Sequence, residues 1–299
     1  MPVRFRRLHA LRPGDPIRVI APAGPFDRPR FEKGLALLSA RYDVRHSDAI
    51  FARHRYLAGD DASRLADFKD ALADDSRALF LARGGYGSAR LLPGLRDVAV
   101  PTKPIVGFSD ATSLNGWLAA HGQMAIHAPV ITQLGDQPQV AERLFQLLES
   151  TQPLPPLAGA RPLVEGLAEG PLLGGNLAVF SRLLGTPFMP KLDGAVVLLE
   201  DVTEKPYQLD RIFTHLRLAG AFEGVKGIAL GNFTECEDRH ADYASTEVIA
   251  DLVRDLGLPC AADFPIGHGA LNQPVPLGAQ VRLDATRGTL EFLEPAVES

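Results

Sequence analysis

The sequence predicts an α/β fold: a parallel sheet with helices on both faces, followed by a second lobe. Three observations carry that prediction. Short apolar runs alternate with stretches of helical period through residues 1–149, the signature of repeated βαβ units. The segment "STQPLPPLAGARP" (150–162) is rich in Pro and Gly and has no period, so it reads as a boundary. Beyond it, strand-like and helix-like stretches resume. The expected division is an N-terminal domain over 1–149, a linker over 150–165 and a C-terminal domain over 166–299. A chain of 299 residues, 46% hydrophobic, buries about three-quarters of its unfolded surface, so each lobe can have a core.

In the first half, "IRVIAPA" reads as a strand ending in a Pro/Gly loop, "RFEKGLALLSARY" as a helix and "DVRHS" as a short strand. "DASRLADFKDALAD" is a helix opened by Asp60 or Asp61 as cap. "RALFLA" is a strand followed by "RGGYG". "KPIVGF" is a strand, "DATSLNGWLAAHG" a helix with Gly122 past its end, and "MAIHAPV" another strand. In the second half "GAVVLLED" and "VKGIALGNF" read as strands. "PYQLDRIFTHLRLAG" has Pro206 in its first turn and one apolar face of Leu209, Ile212, Phe213 and Leu216. "STEVIADLVRDLG" is a helix with Ser245 as cap, an apolar set of Val248, Ile249, Leu252, Val253 and Leu256, and Gly257 past its end. "CAADFPIGHG" runs from a strand into a loop, and "AQVRLDATRGTLEFLE" is a hairpin turning near Arg287 and Gly288.

Composition removes several classes of function. Net charge is −5, and no basic stripe with interleaved aromatics is present, which argues against a nucleic-acid partner. Cys236 and Cys260 form no CxxC, and no HxxxH or His/Cys cluster occurs, so neither a disulfide framework nor a metal site is indicated. GxGxxG and GxxxxGK[ST] are both missing, so no nucleotide cofactor is expected. The basic N-terminus lacks the apolar run of a secretory signal. No stretch of about 18 apolar residues exists to span a membrane. A cytoplasmic protein without cofactor or metal is the expectation.

Candidate chemistry gathers at the downstream ends of strands, where open α/β sheets bind ligands. In "PIVGFSDATSLNGWL" (104–118) an apolar run stops at Gly107, and a helix begins just after Ser109. A sharp strand-to-helix turn lifts a serine out of the sheet and leaves first-turn N–H groups free, led by that of Asp110, which suit an oxyanion. The stretch resembles a nucleophile elbow, although Ala111 stands where GxSxG has its second glycine. Ser109 or Asp110 as an ordinary helix cap is the alternative. "RGGYG" brings backbone close to a ligand, or is a plain tight turn. Glu200 ends four apolar residues of a strand, where a carboxylate needs a partner and could steady a histidine, or reach water. His268, flanked by glycines, is the histidine in the most permissive loop. His127 reads as a core or rim histidine. Ser109, Glu200 and His268 therefore share one geometry, with the linker between the first and the second.

Together, "RGGYG", "KPIVGFSDAT", "GPLLGGNLAV", "LLEDVTEKPYQLDRIFTHL" and "PIGHGALNQPVPLG" resemble, in order and spacing, the LD-carboxypeptidases, or muramoyltetrapeptide carboxypeptidases. The resemblance covers nearly the whole chain. It implies a flavodoxin-like N-terminal domain, a smaller C-terminal domain of swivelling β/α type and a homodimer. It also implies a Ser-His-Glu triad that releases terminal D-alanine from murein tetrapeptides in cytoplasmic recycling. Carried over by motif, the nucleophile is Ser109, the acid Glu200 and the base His268. The implied oxyanion donors are the N–H of Asp110 with that of Gly84 or Gly85. A substrate with free carboxylates needs a cationic anchor. Arg83, Lys205 and Arg211 are the candidates, and any of them could be a surface charge. Asn176 could contact the peptide or cap a helix. The microcin-immunity branch, which hydrolyses aminoacyl-nucleotide antibiotics, shares fold and triad. The single Trp117 and the short chain favour the murein reading over it. A non-catalytic peptide-binding protein is the rival from another class.

Overall fold

The computed structural model describes residues 4–299. Two sheets organise an α/β fold. The first has six strands, in the spatial order Val275–Leu277, Ala125–His127, Ile105–Gly107, Ala78–Leu81, Pro16–Ile20 and Asp43–Arg45. The last five run parallel. Ala78–Leu81 and Ile105–Gly107 are buried at every position, as strands covered on both faces must be. The chain leaves Pro16–Ile20 for Asp43–Arg45 on one side and returns to Ala78–Leu81 on the other. The order therefore reverses at Pro16–Ile20, and the crevice above that reversal lies between the loops that follow Ile20 and Leu81.

The first connecting helix starts two residues before the expected Arg30, and the second starts at the expected Asp60 cap. Asp27 caps Arg28–Ser39 by accepting from the Arg30 N–H at 3.0 Å, and Asp60 caps Asp61–Ala73 by accepting from the Ser63 N–H at 2.7 Å. Thr112–Ala120 is buried at all but its last residue because it lies between the two sheets. A Cβ on Gly116 would come within 2.4 Å of Leu183 and 3.1 Å of the Phe188 carbonyl, and one on Gly175 within 2.6 Å of Thr112 Oγ1. These close approaches seat one lobe on the other.

The second sheet has eight strands, so by strand count it exceeds the first. Its parallel centre is Leu167–Asn176, Val196–Val202, Gly227–Thr234 and Cys260–Ala262, and antiparallel strands flank it. The Gln280–Asp284/Thr289–Phe292 hairpin turns at Gly288, at φ +64°. The helix Pro206–Leu218 buries Leu209, Ile212, Phe213 and Leu216, and Gly257 ends Ser245–Leu256 in the left-handed region. Among the described residues no helix is long and apolar enough to cross a membrane. Cys236 and Cys260 are free, buried thiols.

Several features depart from the sequence reading. The aperiodic stretch after residue 150 contributes Leu157–Ala158 and Arg161–Val164 to the second sheet. Val275–Leu277, late in the chain, crosses back to pair with Ala125–His127 in the first sheet. Leu8–His9 pairs with Val297–Glu298. Strands of two to four residues hold too little pattern for a period, and their partners are remote in sequence. Ser245 is not a cap: Ala244 holds that position, and Ser245 gives its N–H and hydroxyl to Glu237 at 2.9 and 2.7 Å.

Candidate active site

The strand Ile105–Gly107 stops, a single 3₁₀ turn Ser109–Ala111 follows, and the helix Thr112–Ala120 begins. Ser109 sits at φ +63°, a conformation that a residue with a Cβ rarely adopts and that costs on the order of 1–3 kcal/mol. Neither cap reading applies here. Phe108 precedes the turn and Ala111 the helix, without a side-chain cap at either. The Asp110 carboxylate is buried and accepts from the Ser88 N–H and hydroxyl at 2.8 and 2.5 Å. The turn is thus anchored through Asp110, which leaves Ser109 free to present its hydroxyl.

The "RGGYG" loop lies against that hydroxyl. A Cβ on Gly84 would stand 3.0 Å from Ser109 Cβ, 3.1 Å from Oγ and 3.6 Å from the Asp110 nitrogen. Any side chain there would fill the space in front of the serine. Gly85, at φ +100°, turns the chain away in a region open to glycine. Arg64, a buried arginine the sequence reading did not single out, holds this loop by donating to the Gly87 carbonyl at 3.0 Å and to that of Pro22. Tyr86, in the same loop, is exposed, and its ring meets that of Tyr56 at 5.9 Å.

From the other lobe come Glu200 and His268. Glu200 lies on the central strand Val196–Val202, opposite Asn176, and is fully buried. The register with the neighbouring strand slips between Leu199 and Asp201, a bulge that redirects side chains beside sites. His268 follows the strand Cys260–Ala262. Its Nδ1 donates to Glu200 Oε2 at 2.7 Å, and its Nε2 lies 3.1 Å from Ser109 Oγ. With the proton on Nδ1, Nε2 accepts from the serine hydroxyl. The three side chains therefore converge across the two lobes.

Gly267 makes the approach of His268 possible. It sits at φ +107°, and a Cβ there would stand 2.3 Å from Glu200 Oε2. Gly267→Ala is expected to displace the carboxylate, lower turnover by at least about 10²-fold and destabilise the fold by about 1–3 kcal/mol. Steady-state rates and the urea midpoint check both effects. Residues beyond the quoted candidates hold the loop in place. Asn272 Oδ1 accepts from the Gly267 N–H at 2.8 Å, while its own N–H donates to Gln137 Oε1 at 2.9 Å and its Nδ2 to Gln133 Oε1 at 3.1 Å. Gln133 and Gln137 belong to the first half of the chain, so they tie the histidine loop to the serine's side of the cleft. Glutamines in a sequence carry no signal of such pairing.

Two histidines, His268 half-buried and His127 buried, are tuned in opposite directions. Burial alone would lower the His268 pKa, but the Glu200 hydrogen bond and charge, with Asp201 behind, hold it above the ordinary value. His127 is fully buried, as a core histidine, and burial pushes it down to about 4 despite nearby Glu200. The Phe108 ring stands between the two imidazoles, 4.7 Å from His268 and 5.7 Å from His127. Burial lifts Asp201 to about 6, although it accepts from the N–H groups of Val202 and Ala178, both at 2.8 Å, and from Asn176 Nδ2 at 2.9 Å.

The remaining candidates separate cleanly. Asn176 is buried and caps Leu177–Ser181, accepting from the Val179 N–H at 3.1 Å while its Nδ2 holds Asp201. Its polar atoms are thus engaged within the protein, and the capping alternative is the one observed. Lys205, exposed, is 3.7 Å from Asp238. Arg211, exposed, lies over the Tyr207 ring at 5.3 Å. Neither of these two bonds to the Ser109–His268–Glu200 group. Arg83 is exposed, next to Gly84, and donates to the Pro25 carbonyl at 2.5 Å. Among the described residues no cluster of three or more His, Cys, Asp or Glu could hold a metal ion.

Comparison with known proteins matches the LD-carboxypeptidase N-terminal domain to residues 17–128 and the LD-carboxypeptidase C-terminal domain to residues 169–283. A Synechocystis protein is 39% identical over 98% of this chain and 99% of its own length. The murein tetrapeptide carboxypeptidase of Pseudomonas aeruginosa is 32% identical over 91% of this chain and 94% of its own. Among solved structures, the microcin C7 self-immunity protein MccF superposes with a TM-score of 0.87 at 20% identity, covering 98% of this chain and 100% of that one, a likeness of fold alone. With both domain families matched in order over most of its length, the chain belongs to the LD-carboxypeptidase family.

Proposed function

We propose that this chain is a serine L,D-carboxypeptidase that releases terminal D-alanine from murein tetrapeptides. The observation that carries the proposal is the imidazole of His268 bridging Glu200 at 2.7 Å and Ser109 at 3.1 Å. Ser109 Oγ attacks the scissile carbonyl as His268 Nε2 takes its proton. Glu200 holds the ring in the working tautomer and balances the imidazolium. The N–H of Asp110, with that of Gly84 or Gly85, receives the oxyanion. His268 then protonates the departing D-alanine amine, and water resolves the acyl-enzyme by the same route. Arg83, beside Gly84, is suited to the carboxylate of the leaving residue.

The parallel strand order of the first sheet, with its reversal at Pro16–Ile20, supports a flavodoxin-like reading of the lobe over 1–149. A swivelling C-terminal lobe over 166–299, beyond the 150–165 segment, a homodimer and a cytoplasmic location belong to the same proposal. Trp117 is fully buried and offers no face to a nucleobase, which weighs against an aminoacyl-nucleotide substrate. Incubation with a murein tetrapeptide, beside an aminoacyl-sulfamoyl adenylate, tests the reading. D-alanine release with the adenylate left intact is expected. Hydrolysis of the adenylate alone would favour the immunity-type hydrolase, and peptide binding without turnover a peptide-holding protein.

A further inference from the structure

A cavity of about 370 Å³ opens on the N-terminal lobe, with Phe26, Asp27, Arg28, Phe51 and Arg53 in its wall. It lies between the segments that follow Pro16–Ile20 and Asp43–Arg45, at the downstream ends of parallel strands, the side on which open α/β sheets take their ligands. A short path of packed backbone links it to Ser109. Pro25 lines it and accepts from Arg83; Gly24 donates to the Gly84 carbonyl at 3.1 Å; and Gly84 abuts Ser109. The wall is cationic above and aromatic below. Arg28 lies 3.8 Å over the Phe51 ring, and the rings of Phe26 and Phe51 meet at 5.4 Å. Arg28, Arg53 and Arg83 are all exposed, and none forms an ion pair among the described residues, in a chain whose net charge is −5. The one acid in the wall, Asp27, is occupied as a helix cap. Asp48, on the turn that supplies Phe51, is exposed and does not line the cavity.

We propose that this cavity is a subsite for a carboxylate carried by the acyl side of the peptide substrate, gripped by Arg28 and Arg53 over an aromatic floor. The inference rests on the carboxypeptidase reading above and deepens it by assigning substrate charge to a place. Guanidinium groups match carboxylates in planar, two-point fashion, and a cavity of this size suits a small ligand group. The leaving side is excluded by reach. One residue spans at most about 3.6 Å, whereas Gly84 and Gly24 stand packed between Ser109 and the cavity. The terminal residue's carboxylate therefore stays near Arg83, and only the longer acyl portion extends to Arg28 and Arg53.

The test uses the full chain and two murein tetrapeptides, one with its internal carboxylates free and one with them amidated. The wild type is expected to show a KM for the acid form at least about 10-fold below that for the amide. In the double variant Arg28→Gln/Arg53→Gln, KM for the acid form rises to that of the amide. Its kcat stays within about 2-fold, since the effect is on uniform binding. Arg96→Gln, at another exposed arginine, leaves both constants unchanged, and the urea midpoint confirms that each variant is folded. Equal KM for the two peptides in the wild type, or a preference that survives in the double variant, overturns the subsite while leaving the peptidase reading intact. Release of D-alanine from neither peptide overturns both.

Discussion

Replacing Ser109 by alanine is expected to lower kcat on the order of 10⁴–10⁶-fold and to leave substrate affinity within a few-fold. The hydroxyl is the only atom removed. The Asp110 anchor to Ser88, the approach of Gly84 and the His268–Glu200 pair do not depend on it. Alanine at φ +63° carries the same Cβ strain as serine, so stability should hold within about 0.5 kcal/mol. Any residual rate above background would come from binding and the oxyanion donors, which remain. Single-turnover release of D-alanine, with tetrapeptide binding measured by calorimetry on the same variant, separates chemistry from binding. Turnover equal to the wild type would remove the nucleophile assignment. Loss of binding together with turnover would show that the residue serves the shape of the cleft instead.

The sequence shows Ser109, Glu200 and His268 for a reason that is physical as well as familial. Each stands where a run of buried apolar residues ends, and a polar or titratable group there has to be paired, exposed or used. What it cannot show is the strain at Ser109, because positive φ in a serine leaves no mark of its own. The local residues alone leave the cap reading open; the structure removes it, because the Asp110 carboxylate bonds Ser88 and not the helix. The supporting groups were illegible for a different reason. Arg64, Gln133, Gln137 and Asn272 act through partners that are, in the main, far away in the chain, and their residue types are ordinary surface types. Ala78–Leu81, Val196–Val202 and Gly227–Thr234 were legible because each has several apolar residues in a row. Val275–Leu277, Leu157–Ala158 and Arg161–Val164 were not, because their stability comes from neighbours and not from their own pattern. Lys205 and Arg211, candidates by charge, illustrate the same limit, since charge in a sequence does not reveal the Asp238 and Tyr207 neighbours they take.

The second large effect is expected from Glu200→Gln, and its signature lies in pH. His268 must be neutral to take the serine proton, so kcat/KM should rise with pH through its pKa, which Glu200 and Asp201 hold above the ordinary imidazole value. Glutamine keeps a hydrogen-bonding oxygen but removes the charge. The imidazolium loses its main support, so the acid limb of the profile should move to lower pH while the plateau falls by about 10³–10⁴-fold. A merely structural residue would lower the plateau without moving the limb. Stability gives an independent sign. A histidine whose folded pKa is raised contributes stability that is fully present below its unfolded value of about 6.5 and is lost as pH rises through the folded value. The urea midpoint of the wild type, relative to Glu200→Gln, should therefore be most favourable below the unfolded value of about 6.5 and lose that advantage as pH rises through the raised folded value. Above the folded value a buried carboxylate faces a neutral ring, and its desolvation is no longer offset by an opposite charge. An acid limb that stays in place in the variant, with the midpoint difference flat across the same range, would mean that the His268–Glu200 contact at 2.7 Å is packing and not charge stabilisation.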